Sequence, residues 1–266
     1  MQKKLSLVVA SFVLLGLSAC SLLPEKEDET KNWSVTKLYS EASNEMADAH
    51  YEHAIQLFEK LETNYPFGTY AQQAQMEIAY GYYKTNDQTQ AQAAVERFIK
   101  AHPNHANVDY MYYMRGMISF NDQIGFLNFI YKQDPTERDP KAAREAFTSF
   151  KLLVEKFPNS RYTPDALLRM KYLVNTMANY EVHVARYYYR RGAYLAAINR
   201  AQGAINDYRD APATEEALYI MTRGYDKLGM LDLRDDAMRV FMKNYPNSTF
   251  LTPAGAKTER HWWKFW

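Results

Sequence analysis

Four short stretches of this chain end in nearly the same words: "NYPFG" (64–68), "AHPNH" (101–105), "KFPNS" (156–160) and "NYPNS" (244–248). A weaker "DYRDAP" (207–212) lies between the last two. The prolines fall at 66, 103, 158, 212 and 246, so two of the gaps, 37 and 34 residues, match the period of helix–turn–helix solenoid repeats. The other two gaps, 55 and 54 residues, are longer; one holds an insertion and the other longer helices. Such a period constrains the fold strongly. A unit of this size cannot bury its apolar face alone, so the units have to stack on one another.

Inside each unit the apolar residues keep helical spacing. Val35, Leu38, Tyr39, Ala42 and Met46 fall at i, i+3, i+4, i+7 and i+11. Tyr51, Ala54, Ile55, Phe58 and Leu61 form a second stripe, and Ala91, Ala94, Val95, Phe98 and Ile99 a third. No comparable alternation of period two occurs. Asp139-Pro140 and Thr163-Pro164 read as capping residues before a proline at the first helical position. Small residues (Ala42, Ala54, Ala79, Ala91, Ala146, Ala197, Ala217) recur within the stripes, and Phe58, Phe98, Phe150 and Phe241 come near the unit ends. This resembles the tetratricopeptide pattern. The expected fold is all-α, a tetratricopeptide-repeat superhelix of about five helix–turn–helix units at 34–68, 71–105, 108–160, 163–212 and 214–248. The third unit is interrupted by an insertion over 120–140.

The amino terminus has a different logic. Lys3 and Lys4 precede an apolar run from Leu5 to Leu17 and then small residues, the order of a secretory signal over 1–19 and too short to span a membrane. Cys20 follows directly and is the only cysteine, so a disulfide within the chain is excluded. Leu17-Ser18-Ala19-Cys20 resembles the lipobox of bacterial lipoproteins, which implies a diacylglyceryl thioether and an acylated amino terminus on Cys20. Three acyl chains, at about 0.8 kcal/mol per buried CH₂, hold a membrane firmly. Ser21, where an aspartate would signal inner-membrane retention, points to the outer membrane and its periplasmic face. Residues 20–33 read as a lipidated, solvated tether.

Composition and motifs exclude several functions. Lys3 and Lys4 leave with the signal, so the mature chain keeps 30 basic against 31 acidic residues and offers no basic stripe for nucleic acid. His50 with His53, and His102 with His105, are spaced as pairs, but neither has a cysteine or a clear third ligand, so no metal site is expected. No phosphate loop, nucleophile elbow or zinc-protease motif occurs, and neither catalytic residues nor a cofactor are expected. The 22 tyrosines are more informative. They cluster at 65–70, 80–83, 110–113 and 187–189, and three consecutive rings cannot all face one side of a helix. Some are expected on the concave face, where they suit peptide binding. Arg115, Lys84 and Arg97 are near enough in sequence to meet a carboxylate there.

"YPFGTYAQQAQ" (65–75), "AQAAVERFIKAHPNH" (91–105), "VDYMYYMRG" (108–116), "DPKAAREAFTSFKLLVEKFPNS" (139–160) and "YEVHVARYYYRRGAYLAAINR" (180–200) together resemble the BamD family, the lipoprotein subunits of the outer-membrane β-barrel assembly machine. The likeness runs in order over about 34–248. It implies a non-enzymatic assembly subunit with several partners: the POTRA-containing central barrel subunit, other lipoproteins of the machine, and unfolded outer-membrane proteins. The membrane is reached through the lipid anchor. The N-terminal repeats (34–160) would form a substrate groove, with Tyr65, Phe67, Tyr70, Gln73, Tyr80, Tyr83, Tyr110 and Arg115 as candidates. Substrates ending in an aromatic residue with a free carboxylate would suit rings with an arginine at one end. The C-terminal repeats (161–248) would dock the partner, with Arg186, Arg190, Tyr194 and Arg200 as candidates. Residues 249–266 end in "KTERHWWKFW", a composition suited to a membrane surface or a neighbouring subunit. The alternative from another class is a lipoprotein scaffold for cell-wall or division factors, which would not need the Tyr65–Tyr70 segment and the insertion together.

Overall fold

The computed structural model describes residues 30–124 and 140–252. The signal, Cys20, most of the tether, most of the insertion and the tryptophan-rich end lie outside the described residues. Within them the chain is helical, with no strand. The helices are α1 (Val35–Ala47), α2 (Tyr51–Asn64), α3 (Thr69–Lys84), α4 (Gln88–Ala101), α5 (Val108–Ile124), α6 (Lys141–Lys156), α7 (Thr163–Arg190), α8 (Tyr194–Asp207), α9 (Thr214–Lys227) and α10 (Leu231–Asn244). They pack as five consecutive hairpins, in agreement with the repeat superhelix expected. First helices of successive hairpins touch (α1 with α3, α3 with α5, α7 with α9), and no pair of second helices is in comparable contact. The stack therefore curves around the first helices, which line the concave side.

The stripes read from the sequence are the buried faces. Leu38, Ala42, Ala54, Phe58, Leu61, Ala91, Val95 and Phe98 are fully inaccessible. The core is a string of clusters rather than one mass. The first joins α1–α4 to Met111, Met114 and Ile118 of α5. A second holds α5, α6 and the first half of α7, and a third the second half of α7 with α8 and α9. A small one around Leu218, Tyr219 and Phe241 ends the stack. The 28-residue α7 thus belongs to two clusters: Leu173 and Met177 face one, Ala178, Val182 and Ala185 the next.

Two sequence expectations change. Thr163 does not cap α7; its hydroxyl donates to the Phe157 carbonyl at 2.8 Å, and Tyr162 occupies the cap position. Pro140 stands at the cap of α6 instead of at its first turn. The last residues of the expected tether are also fixed in place. Lys60 donates to the Thr30 hydroxyl at 3.2 Å, the Tyr65 hydroxyl donates to the Trp33 carbonyl at 2.9 Å, and Lys37 lies over the Trp33 ring.

Candidate binding surface

The concave side holds an open pocket of about 340 Å³ between α3, α5 and the turn before α7, lined by Met76, Glu77, Tyr80, Asn107, Tyr110, Arg161 and Tyr162. Helical spacing explains the α3 contribution, because Gln73, Glu77 and Tyr80 are one turn apart. Tyr110 packs against Tyr162 at 5.5 Å between ring centres, and Tyr162 stacks on Tyr113 at 4.9 Å. Burial, and then the nearby Glu77 carboxylate, raise the Tyr110 phenol well above its ordinary value, so it stays a neutral donor. Burial likewise pushes the Glu77 carboxyl up. The Arg161 guanidinium covers the Tyr162 ring at 4.8 Å. Beneath, Tyr113 donates to Asp165 at 2.6 Å, and its phenol is pushed up to about 12 by burial and by that bond. The pocket therefore offers aromatic faces, neutral hydroxyls, one carboxylate and one rim cation.

Of the groove candidates, the structure brings Tyr80 and Tyr110 together there, with Tyr83 at 6.4 Å from Tyr80. Tyr70 is partly buried against Tyr39 at 5.1 Å. Tyr65 is tied to Trp33, and Gln73 is exposed on α3. Phe67 is 90% exposed, the most exposed of the large apolar side chains described. Its setting is unusual. The other four unit ends close with an N–H three residues on returning to the cap carbonyl (His105 to His102, Ser160 to Phe157, Ala211 to Tyr208, Ser248 to Tyr245). At the first unit end Gly68, at φ 98°, turns the chain instead and leaves Phe67 outward.

Arg115 is not in this pocket. It faces the other side of α5, where its Nη1 donates to Glu96 at 3.2 Å. Lys84 lies over the Tyr51 and Tyr80 rings, and Arg97 pairs with Glu62 at 3.3 Å, so the three cations do not converge. The pocket cation is Arg161. Sequence reading missed it together with Glu77 and Tyr162. Glu77 was signalled by its spacing from Gln73 and Tyr80, whereas Arg161 and Tyr162 arrive through the fold from 51 and 52 residues beyond Tyr110.

The docking candidates divide as well. Arg186 grips Glu216 with Nε and Nη2 at 2.8 and 2.7 Å, joining α7 to α9. Arg200, exposed on α8, donates to Glu181 at 3.0 Å. The Glu181 side chain is 11% exposed and also lies 3.9 Å from Arg144, so it ties α6, α7 and α8 together. Arg200 with Tyr188 and Asn199 lines a shallow hollow of about 510 Å³. Tyr194 packs on Tyr189 at 5.3 Å. Burial, then the charge of Arg186, lower the Arg190 guanidinium. Next to these, α10 buries only Ala237 and Phe241 and leaves Leu231, Leu233, Val240 and Met242 about half exposed. The histidines are used locally: His50 and His53 flank Glu45 at 2.9 and 3.3 Å, and His102 and His105 pack on Phe98.

The family model described as outer membrane lipoprotein (YfiO) matches residues 31–240. The relative named outer membrane protein assembly factor BamD in Neisseria meningitidis is 44% identical over 267 residues, covering 99% of both chains. The proteins of the same name in Neisseria gonorrhoeae and Vibrio cholerae are 43% and 36% identical. The first covers 99% of each chain; the second covers 87% of this one and 97% of its own.

Proposed function

Because the chain belongs to the YfiO family of outer-membrane lipoproteins, whose relatives are named BamD assembly factors, we propose that it is a non-catalytic subunit of the outer-membrane protein assembly machinery. In this reading Cys20 carries the lipid, and the chain sits on the periplasmic face of the outer membrane. Unfolded outer-membrane proteins bind along the first helices of the N-terminal repeats. The C-terminal repeats dock the POTRA-bearing barrel subunit through Arg190, Tyr194, Arg200 and the uncovered face of α10.

One observation carries the substrate assignment: Tyr80, Tyr110 and Tyr162 line a concave-side pocket beside Glu77, and Phe67, in the turn that leads into α3, holds an apolar ring in water. Aromatic faces with neutral hydroxyls suit the backbone and rings of an extended segment. Tyr110 is packed into its surroundings, so the informative variant pair is Phe67→Ala with Tyr80→Ala. Binding of a fluorescent peptide from the C-terminal strand of a barrel protein should weaken roughly tenfold or more, with the helical fold retained. Unaltered binding by the folded double variant would remove the groove from the proposal.

A further inference from the structure

One corner of the first hairpin departs from the pattern of the stack. All five second helices end alike, and the residue two places past each end is Phe67, Asn104, Asn159, Asp210 or Asn247. Four of these are the short polar residues that a solvated turn favours. Only the first is an aromatic ring, and at 90% exposure it adds nothing to the core.

The ring has a particular setting. Two residues before it, the Tyr65 hydroxyl donates to the Trp33 carbonyl at 2.9 Å, and the Trp33 N–H returns to the Thr30 carbonyl at 3.0 Å. The Lys37 ammonium covers the Trp33 ring at 4.3 Å. Trp33 is partly buried, whereas Lys31, Lys37, Tyr65 and Phe67 are exposed. Charge is one-sided here, although the mature chain as a whole is balanced: no acid occurs over 30–40 or over 63–76. Glu62, just before the second stretch, is already engaged, accepting from Gln75 at 3.0 Å and from Arg97 at 3.3 Å.

The occupant of such a corner follows from where the chain enters the fold. Cys20 lies upstream, and Thr30 and Trp33 fasten the incoming chain at this same corner. A lipid on Cys20 therefore brings its bilayer to the Phe67 end of the first hairpin. Tryptophan, tyrosine and lysine are the side chains that settle at headgroup level, and each lysine near an anionic leaflet adds attraction. We propose that the corner formed by Trp33, Lys37, Tyr65 and Phe67 rests on the phospholipid surface, with the Phe67 ring entering the headgroup region. The inference concerns the chain before it holds a substrate, and it rests on the reading that Cys20 carries the lipid. It turns the starts of α1 and α3 toward the membrane and the turn between α1 and α2 away from it.

The test uses the full lipidated chain in vesicles of phosphatidylethanolamine and phosphatidylglycerol. Cys20 is consumed by its thioether, so Asn64→Cys, at an exposed position beside the corner, supplies the reactive thiol for a bimane fluorophore. Asp48→Cys, at the opposite end of α1, carries the same label as a reference. Acyl chains brominated near the headgroup should quench the label at 64 and leave the one at 48 unchanged. Phe67→Asn, which restores the residue of the other turns, should reduce that quenching. Lys31→Glu with Lys37→Glu should reduce it too. The proposal is overturned if the label at 64 is quenched no more than the one at 48, or if Phe67→Asn is quenched as the parent is. A label at 64 that ignores lipid and responds only to a barrel-strand peptide would also overturn it and leave Phe67 to the substrate alone. The mass of the purified chain reads Cys20 separately: without its acyl chains the anchor reading fails, and this inference with it.

Discussion

A single carboxylate governs how the concave pocket responds to pH. Glu77 is pushed above its usual range by burial and faces Tyr39 and Tyr110, with Arg161 at the rim. Its ionised form is penalised in the folded chain but not in the unfolded one. The stability it contributes is therefore complete below the unfolded value near 4.5 and is lost as pH rises through the raised folded value. Glu77→Gln should melt above the parent at neutral pH, with the gap closing as the solution is acidified below about 4.5. A gap independent of pH across melting curves would mean that Glu77 keeps an ordinary value. Asp165 has the opposite sign. Against the upward push of burial, hydrogen bonds from Arg169 and Tyr113 hold its carboxyl below the usual range. Its contribution is present above the unfolded value and is lost as pH falls through the folded one.

Two turn designs recur among the elements, and only one could be read from the sequence. All five second helices end on a residue with nearly the same conformation: Tyr65, His102, Phe157, Tyr208 and Tyr245 have φ between −135° and −131° and ψ between 51° and 68°. Each closes its N–H on the carbonyl four residues back. A following proline favours leaving the helix there, which is why the proline motifs marked the unit ends. Tyr208 adopts the same conformation before Arg209, so proline assists the turn without being required. Inside four of the hairpins the chain passes through a left-handed residue: Ala49, Asn86, Gly192 and Gly229, at φ 64°, 61°, 76° and 71°. The next N–H reaches five residues back in each, as His50 does to Glu45 and Ala193 to Tyr188. Glycine is the expected residue there, and alanine gives no sequence signal. Ala49→Gly should stabilise the chain by about 0.5–1 kcal/mol, because relief of left-handed strain exceeds the added backbone entropy. Gly192→Ala, with nothing within 4 Å of the new methyl, should cost about 1 kcal/mol. Urea midpoints read both; equal shifts at the two positions would refute the strain argument.

At the scale of the whole molecule, stability should be graded along the stack, because each cluster contacts only its neighbours. The last hairpin has the smallest cluster, so α10 should show the weakest hydrogen-exchange protection among the described helices. Phe241→Ala, which empties a fully buried site at a cost of about 3–5 kcal/mol, should lower protection in α9 and α10 and leave α1–α4 unchanged. Simultaneous exchange of α10 and α3 would instead mean a single cooperative core. The fold was legible because period, stripes and small residues all report the same stacking. The concave pocket was legible only in part: Tyr80 and Tyr110 are announced by clusters of rings, but Arg161 and Tyr162 join them through tertiary packing, and Arg115 points away because five helical positions separate it from Tyr110. The fastening of Thr30 and Trp33 to the first hairpin has a further consequence. If Cys20 carries the lipid as proposed, the ten steps from Cys20 to Thr30 would set the reach, at most about 36 Å whatever their conformation. Confined to a half-sphere of that radius, one copy has an effective concentration toward anything at the same patch of bilayer on the order of 10 mM. Contacts too weak to hold two free molecules together would then be occupied most of the time.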